Sequence, residues 1–193
     1  MTDILYKYRS IENFRNFVDI ILKNRLYAAS YQDLNDPMEG QYYYQSGKLD
    51  KEIRDKLYDE KQRLKLCSLS KVNDNELMWF HYADGHRGVA IGLRINEKQS
   101  IVKPIEYTGL THIKSQDYNS QTAIEILSHK LEVWNYEEEV RAFIENEKFI
   151  TVQIEEIITG RKMSDLDYEF IQQLIKKINP KIKIRKAVEI MGY

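Results

Sequence analysis

The alternation of apolar and polar positions predicts a strand, a helix and a second strand at the start of the chain. Leu5 to Arg9 alternates and is rich in β-formers, which favours a strand. Apolar side chains recur at helical spacing over residues 11–22, with Ser10 as the expected N-cap. Residues 26–29 then predict a second strand, so the three elements make a compact opening unit.

The same patterns place further helices and strands along the rest of the chain. Helices are predicted over 49–66 and 122–133, and strands over 65–70, 88–93, 101–107 and 139–144. The C-terminal part predicts strand, helix, strand, with a capping box at Ser164 and a stop at Pro180. The apolar stripe expected on that helix consists of Leu166, Phe170, Leu174 and Ile178. Together these elements predict a single α+β domain over residues 1–193, with a mixed β-sheet flanked by helices.

Composition narrows the class of protein without assigning a function. The net charge of −1 gives no support to nucleic acid as a broad electrostatic partner. No apolar run is long enough for a transmembrane helix, and the first residues lack the apolar core of a signal peptide. The single Cys67 permits no intramolecular disulfide, and we expect it to be a small buried hydrophobe. A soluble, cytoplasmic protein without a membrane partner is therefore expected.

The stretch from Leu77 to Leu93 combines aromatic and imidazole side chains with a buried strand. Trp79, His81 and Tyr82 precede a short apolar run between glycines, which predicts a pocket wall at the end of a strand. His81 and His86 lie five residues apart and no cysteine joins them, so a metal site is not expected.

Carboxylates and cations occur in two other stretches that could form a site. In extended geometry Glu137, Glu139 and Arg141 project to one face, and one carboxylate could bind sugar hydroxyls or stabilise a developing cation. The alternative is a solvated edge strand with an ion pair across it. Lys7 and Arg9 suit a phosphate or carboxylate, or are simply two exposed charges.

The loop over residues 30–40 also has two interpretations. Its sequence Asn35-Asp36-Pro37 has strong turn chemistry, which is typical of a surface turn. Alternatively, Asp36 and Glu39 line the rim of a site.

Four segments resemble a bacterial family known as domain of unknown function 2971. The matching segments are Leu5-Tyr6-Lys7-Tyr8-Arg9, Asn35-Asp36-Pro37-Met38-Glu39, Met78-Trp79-Phe80-His81-Tyr82-Ala83 with His86-x-Gly88, and Trp134-Asn135-Tyr136-Glu137-Glu138-Glu139-Val140-Arg141. Their order and spacing cover nearly the whole chain. The family name carries no assigned activity.

The layout also looks like that of ADP-ribosyltransferases, at the level of architecture. In that likeness Lys7 or Arg9 stands at the cationic position of the first strand, Tyr27 or Ser30 at the second strand, and Glu139 or Glu137 at the late catalytic glutamate. The His-x-Thr of some members is missing from the first strand here, which puts the nicotinamide-ribose contact in doubt.

This second resemblance implies NAD as substrate, no metal, and cleavage of the nicotinamide–ribose bond. Glu139 would stabilise the cationic ribose, Arg9 would grip the diphosphate, and Tyr8 or Trp79 would stack on a ring. Such an enzyme would suit a toxin or a phage-defence effector, and its acceptor stays open. The alternative is a non-catalytic module that binds a nucleotide-like ligand or a protein through Trp79, His81 and Tyr82.

Overall fold

A computed structural model describes residues 3–187, and within them eight strands form one sheet. The strands are β1 (Leu5–Arg9), β2 (Arg25–Tyr27), β3 (Leu64–Ser70), β4 (Val89–Ile95), β5 (Ile101–Pro104), β6 (Glu139–Glu145), β7 (Phe149–Thr159) and β8 (Lys183–Lys186). Their order across the sheet is β2-β7-β4-β1-β3-β6-β5, and β8 pairs with β7. All neighbours are antiparallel except β7 and β8, which are parallel. The predicted α+β class with a mixed sheet is confirmed.

Five helices accompany the sheet: α1 (Phe14–Lys23), α2 (Lys51–Arg63), α3 (Glu76–Tyr82), α4 (Thr122–Ile126) and α5 (Asp165–Ile178). Short 3₁₀ helices cover Tyr31–Asp33, Ser115–Asp117 and Glu132–Glu137. Within the part of the chain that the structure describes, no helix is both long and apolar enough to cross a membrane.

Alternation along β1 distributes its side chains between two apolar clusters. Leu5 belongs to the main core, where α1 and α5 pack on the sheet. Tyr6 and Tyr8 point the other way, into a cluster with Trp79 of α3. A third cluster joins α2 and α4 to the inner side chains of β3 and β6. Since β1 is covered on both faces, its polar residues reach the surface only where a cavity meets the strand.

Two of the predicted helices differ from the expectation in detail. The N-cap of α1 is Asn13 rather than Ser10, because the Asn13 side chain accepts the amide of Asn16 and the helix starts later. In α5 the cap at Ser164 is confirmed. The predicted stripe is right for Leu174 and Ile178, which pack against the main core, and wrong for Leu166 and Phe170. Leu166 and Phe170 are 80% and 55% exposed. The helix instead buries Ile171 and Ile175, one helical position further along.

The helix predicted over 122–133 ends at Ile126. Long-range backbone bonds replace the helical ones there: Glu106 donates to the carbonyl of Ser128 at 2.8 Å, and Lys130 donates to the carbonyl of Glu106 at 3.0 Å. These bonds direct the chain back towards the sheet. They bring Lys130 and the following 3₁₀ helix beside β6.

Candidate functional site

A hollow of about 230 Å³ opens beside the adjacent strands β1, β3 and β6, next to α3 and the loop after β2. It is lined by five carboxylates, on Asp33, Asp36, Glu39, Glu137 and Glu139. Its aromatic lining residues are Tyr6, Tyr8, Tyr82 and Trp134, and its cationic ones are Lys7 and Lys130. We call this cavity the acidic hollow. A cavity of about 150 Å³ holds a benzene ring, so this one has room for a small ring.

Arg141 lies behind the acidic hollow and joins two of its carboxylates. Its side chain is 1% exposed. The two terminal nitrogens donate to Glu39 at 2.6 and 2.7 Å, and Nε donates to Glu139 at 2.7 Å. The carbonyl of Leu127 accepts a further bond at 2.7 Å. Arg141 therefore fixes the positions of a loop carboxylate and a strand carboxylate that are 100 residues apart.

Lys130 is the second buried cation of this network. Its Nζ lies 2.6 Å from Glu137 Oε2 and 3.2 Å from Glu139 Oε2, and 4.8 Å from the centre of the Trp134 ring. The network thus contains three carboxylates, on Glu39, Glu137 and Glu139, and only two cations. With every group in its usual state, the network carries one negative charge more than its two cations balance.

The two glutamates nearest the hollow have opposite acidities. Burial alone would raise the pKa of Glu139, but the charge and hydrogen bonds of Arg141, helped by Lys130, lower it to about 2. Burial raises the pKa of Glu137 above its usual value, and Lys130 and Tyr82 oppose that shift only in part. The Tyr82 hydroxyl donates to Glu137 Oε1 at 2.5 Å. Glu139 is therefore ionised at neutral pH, and Glu137 is the more readily protonated of the two.

The loop after β2 contributes to the acidic hollow, so the interpretation as a plain surface turn is wrong. Asp36 and Glu39 are each 7% exposed, although Asp36 also makes the expected turn bond to the amide of Met38 at 2.9 Å. The next residue, Gly40, has a φ of +72°, and a Cβ there would lie 2.7 Å from the Tyr31 ring. The loop is thus packed closely in a conformation that a glycine permits.

A second hollow of about 770 Å³ adjoins the first and has the opposite charge. Its charged lining residues are Lys7, Arg9, Arg15, Arg25 and a single acid, Asp19. We call it the cationic hollow. It shares Lys7, Leu34 and Ser68 with the acidic hollow. The two cavities therefore meet along one wall.

Arg9 is, with Lys7, a partly buried cation of this second hollow. It is half-buried, and its Nε donates to the carbonyl of Ser10 at 3.4 Å. Among residues 3–187 no carboxylate lies within salt-bridge distance of it, and burial lowers its pKa. Arg25, by contrast, is paired with Asp19 at 3.0 and 3.2 Å and lies over the Phe149 ring. A half-buried guanidinium without an acid suits an anionic ligand.

The structure does not bring Arg9 and Glu139 into one cavity, which corrects the expected arrangement. Glu139 lines the acidic hollow and Arg9 lines the cationic one. Lys7, two residues from Arg9 on the same strand face, is the charged residue that lines both hollows. Its Nζ donates to the carbonyl of Ser68 at 2.9 Å. Tyr27 also lines the cationic hollow, where it is 59% exposed and lies edge-on to Phe149.

Trp79 and His81 are not part of either hollow, because their segment is a helix rather than an extended wall. Residues four apart share a helical face, so Met78 and Tyr82 line the acidic hollow together. Trp79 points into the core, where it is fully buried, packs edge-on against Tyr8 and donates to the carbonyl of Asn73. His81 lies at the surface beside Tyr136.

Glu137 and Glu139 reach the hollow by different routes. Strand β6 begins only at Glu139, and Glu138 has a left-handed φ of +42°. Glu137 therefore approaches from the preceding 3₁₀ helix rather than from an extended strand. Strand β6 lies between β3 and β5, so the alternative of a solvated edge strand is wrong.

Sequence reasoning missed Lys130 and the β3 residues Ser68 and Ser70, which also line the acidic hollow. No sequence pattern around Lys130 indicated a site, because Lys130 reaches the hollow only as a result of the turn that ends α4 at Ile126. Ser68 and Ser70 alternate with Leu69 on a predicted strand, and this alternation could have suggested polar groups on one face.

A search of protein-family models, curated proteins and solved structures found no match for this chain. The two resemblances drawn from the sequence stay predictions. Among the residues that the structure describes, no three His, Cys, Asp or Glu side chains are grouped so that they could hold a metal ion.

Proposed function

We propose that this chain binds NAD and cleaves its nicotinamide–ribose bond, transferring the ADP-ribose to water or to an acceptor. The observation that supports this most is the pair of adjoining hollows of opposite charge, which share Lys7, Leu34 and Ser68. A dinucleotide has the same division of charge, because its diphosphate is anionic and its oxidised nicotinamide ring is cationic.

The charges favour one orientation of the ligand. The diphosphate would lie along Lys7 and Arg9, whose donors have only backbone carbonyls as partners at 2.9 and 3.4 Å. The nicotinamide ring and its ribose would enter the acidic hollow, between Tyr8 and Tyr82 and close to Glu137. The second base would extend into the cationic hollow towards Tyr27, whose ring is available at the surface.

The reaction needs negative charge where the ribose becomes positive. As the bond between ribose C1′ and the nicotinamide nitrogen breaks, its electron pair goes to the ring nitrogen and the ribose becomes an oxocarbenium ion. Glu139 provides the fixed negative charge that favours this ion. The incoming nucleophile bonds to C1′ and loses a proton, which Glu137 accepts. Tyr82 and Lys130 hold the two oxygens of Glu137 in place.

Release of nicotinamide on incubation with NAD tests the proposal. Glu137→Gln removes the proton acceptor and should lower the rate by about 10²–10³, the usual cost of losing one positioned polar group in a transition state. Glu145→Gln, an exposed glutamate on the same strand, should leave the rate unchanged. Equal rates in the parent and in Glu137→Gln would show that the assignment is wrong. Absence of release from the parent, with water and with added acceptor proteins, would refute the proposed activity.

A non-catalytic nucleotide-binding module is the second candidate, and one observation favours it. Both oxygens of Glu139 already accept hydrogen bonds, from Arg141 at 2.7 Å and from Lys130 at 3.2 Å. The charge of Glu139 therefore also stabilises the fold, which would explain its presence without catalysis. A rise in melting temperature with NAD, combined with recovery of the NAD unchanged, would favour this module. An enzyme that consumes NAD would instead suit a toxin or a phage-defence effector.

A further inference from the structure

Large apolar side chains are exposed on the two helical segments whose other residues line the acidic hollow. On α3, Leu77 and Phe80 are 47% and 61% exposed, and Val133 on the neighbouring 3₁₀ helix is 69% exposed. Transfer of such side chains out of water is favourable. Their position in solvent is therefore unfavourable unless something covers them.

A row of ring contacts runs from the exposed Phe80 to the hollow, and it begins with Phe80 and His81, whose ring centres are 5.3 Å apart. Leu77 flanks this row as a helical neighbour of Phe80, and Val133 flanks it as the chain neighbour of Trp134. His81 lies 6.2 Å from the Tyr136 ring, and Tyr136 lies 6.2 Å from Trp134. Trp134 lines the acidic hollow itself. The Asn75 side chain donates to the carbonyl of Tyr136 at 3.0 Å, which ties the two helices together. We call this area the aromatic surface; it comprises Leu77, Phe80, His81, Val133, Trp134 and Tyr136.

The segments that carry the aromatic surface are strongly acidic. Residues 73–82 and 131–139 contain no lysine or arginine, and their exposed carboxylates are Asp74, Glu76, Glu132 and Glu138. Glu137 and Glu139 are buried and paired with Lys130 and Arg141, so they add no charge to this surface. Arg161 neutralises one of them by a two-bond contact to Glu76 at 2.8 Å. Phosphates of a nucleic acid or of an anionic membrane would be repelled here. A cationic partner with apolar side chains would be complementary.

We propose that the aromatic surface docks a basic segment of a partner protein, in which arginine or lysine flanks an apolar residue. The apolar residue packs on Phe80 and Val133, and the basic side chains lie towards the exposed carboxylates Asp74, Glu132 and Glu138. The proposal rests on the proposed function only in identifying this partner as the acceptor of ADP-ribose.

Fluorescence polarisation with three labelled peptides of equal length tests the docking without any catalysis. The first repeats Arg-Leu-Gly, the second replaces each Arg by Glu, and the third replaces each Leu by Gly. We expect the first to bind at least tenfold more tightly than either of the others. The double variant Phe80→Ser/Val133→Ser should lose at least tenfold for that peptide. Leu166→Ser, which alters an apolar side chain that is 80% exposed on α5, should stay within twofold.

Several results would overturn the proposal. They are equal binding of all three peptides, no binding of the first peptide, full binding by the double variant, or tighter binding of a labelled oligothymidine. A concentration-dependent dimer in sedimentation that the double variant abolishes would assign the surface to a second copy of the chain instead. Nicotinamide release without an acceptor protein should be the same in parent and double variant. If the parent binds the peptide but releases no nicotinamide, the docking proposal stands and the proposed function is refuted.

Discussion

Replacement of Arg141 by methionine is the most informative test of the buried network. The arginine makes four hydrogen bonds to the carboxylates of Glu39 and Glu139, and none of the three side chains is more than 4% exposed. Methionine fills similar space without charge, so Arg141→Met leaves two buried acids with only Lys130 beside them. Breaking a buried pair in this way costs about 3–5 kcal/mol. For a chain of this size the melting temperature should fall by about 6–20 °C.

The assay is urea or thermal unfolding at neutral pH, with Arg87→Met as the matched control. Arg87 also makes a two-bond pair, with Asp84 at 2.7 and 3.0 Å, but its side chain is 61% exposed. An exposed pair is worth at most about 1 kcal/mol. Glu39→Gln should cost less in the Arg141→Met background than in the parent, because it then removes an unpaired acid. Equal losses for Arg141→Met and Arg87→Met, or fully additive effects in the double variant, would refute the account of the network.

Three further predictions concern packing and pH. Gly40→Ala should destabilise the chain more than Gly47→Ala. Both glycines have a φ above +70°, but only at Gly40 would a Cβ approach an aromatic ring, at 2.7 Å. Thermal melting of both variants measures the difference, and an equal fall in melting temperature would contradict the packing described. Trp79→Ala should lower the free energy of unfolding by about 3–5 kcal/mol, measured with denaturant, because it removes a large core side chain. Nicotinamide release per folded molecule should stay the same. A lower rate in folded Trp79→Ala would show that Trp79 contributes to the site. The pKa of Glu139 is about 2 in the folded state and near 4.3 in the unfolded state, so its contribution to stability is complete above about pH 4.3 and is lost as the pH falls towards 2. Denaturant unfolding between pH 2 and 5 should therefore show that the free energy of unfolding falls more steeply in the parent than in Glu139→Gln. Parallel curves for the two proteins would contradict this.

Local patterns in the sequence located most strands and helices, but they missed α3, extended α4 too far and did not show which face of α5 is buried. The strands β1, β3 and β6 and the Ser164 cap were predicted close to their observed positions. The predicted stripe of α5 consisted of Leu166, Phe170, Leu174 and Ile178. Its first two residues are exposed and its last two pack on the core, while Ile171 and Ile175 are the fully buried residues of the helix. Both sets recur at helical spacing, and the choice between them depends on how the helix is placed on the sheet. Local sequence contains no information on that placement.

The chemistry of the site depended on pairings between distant residues. The two-bond contact of Arg141 with Glu39 joins residues 102 positions apart, and the Tyr82 bond to Glu137 spans 55. Both acids were candidates from sequence, Glu39 as a loop residue on the rim of a site and Glu137 as a carboxylate able to bind sugar hydroxyls. Which cation each would meet, and that Arg9 would belong to a different cavity from Glu139, could follow only from the order of strands in the sheet.

The central claim, a dinucleotide site divided between two hollows, is tested most directly by titrating NAD into the parent, Arg9→Gln and Glu137→Gln while measuring nicotinamide release in the same samples. The account predicts that Arg9→Gln raises the Kd at least tenfold, as expected for loss of a charge-assisted bond of about 1.5–3 kcal/mol. It predicts that Glu137→Gln leaves the Kd within about threefold and slows release by about 10²–10³. Unchanged affinity in Arg9→Gln together with unchanged release in Glu137→Gln would contradict it.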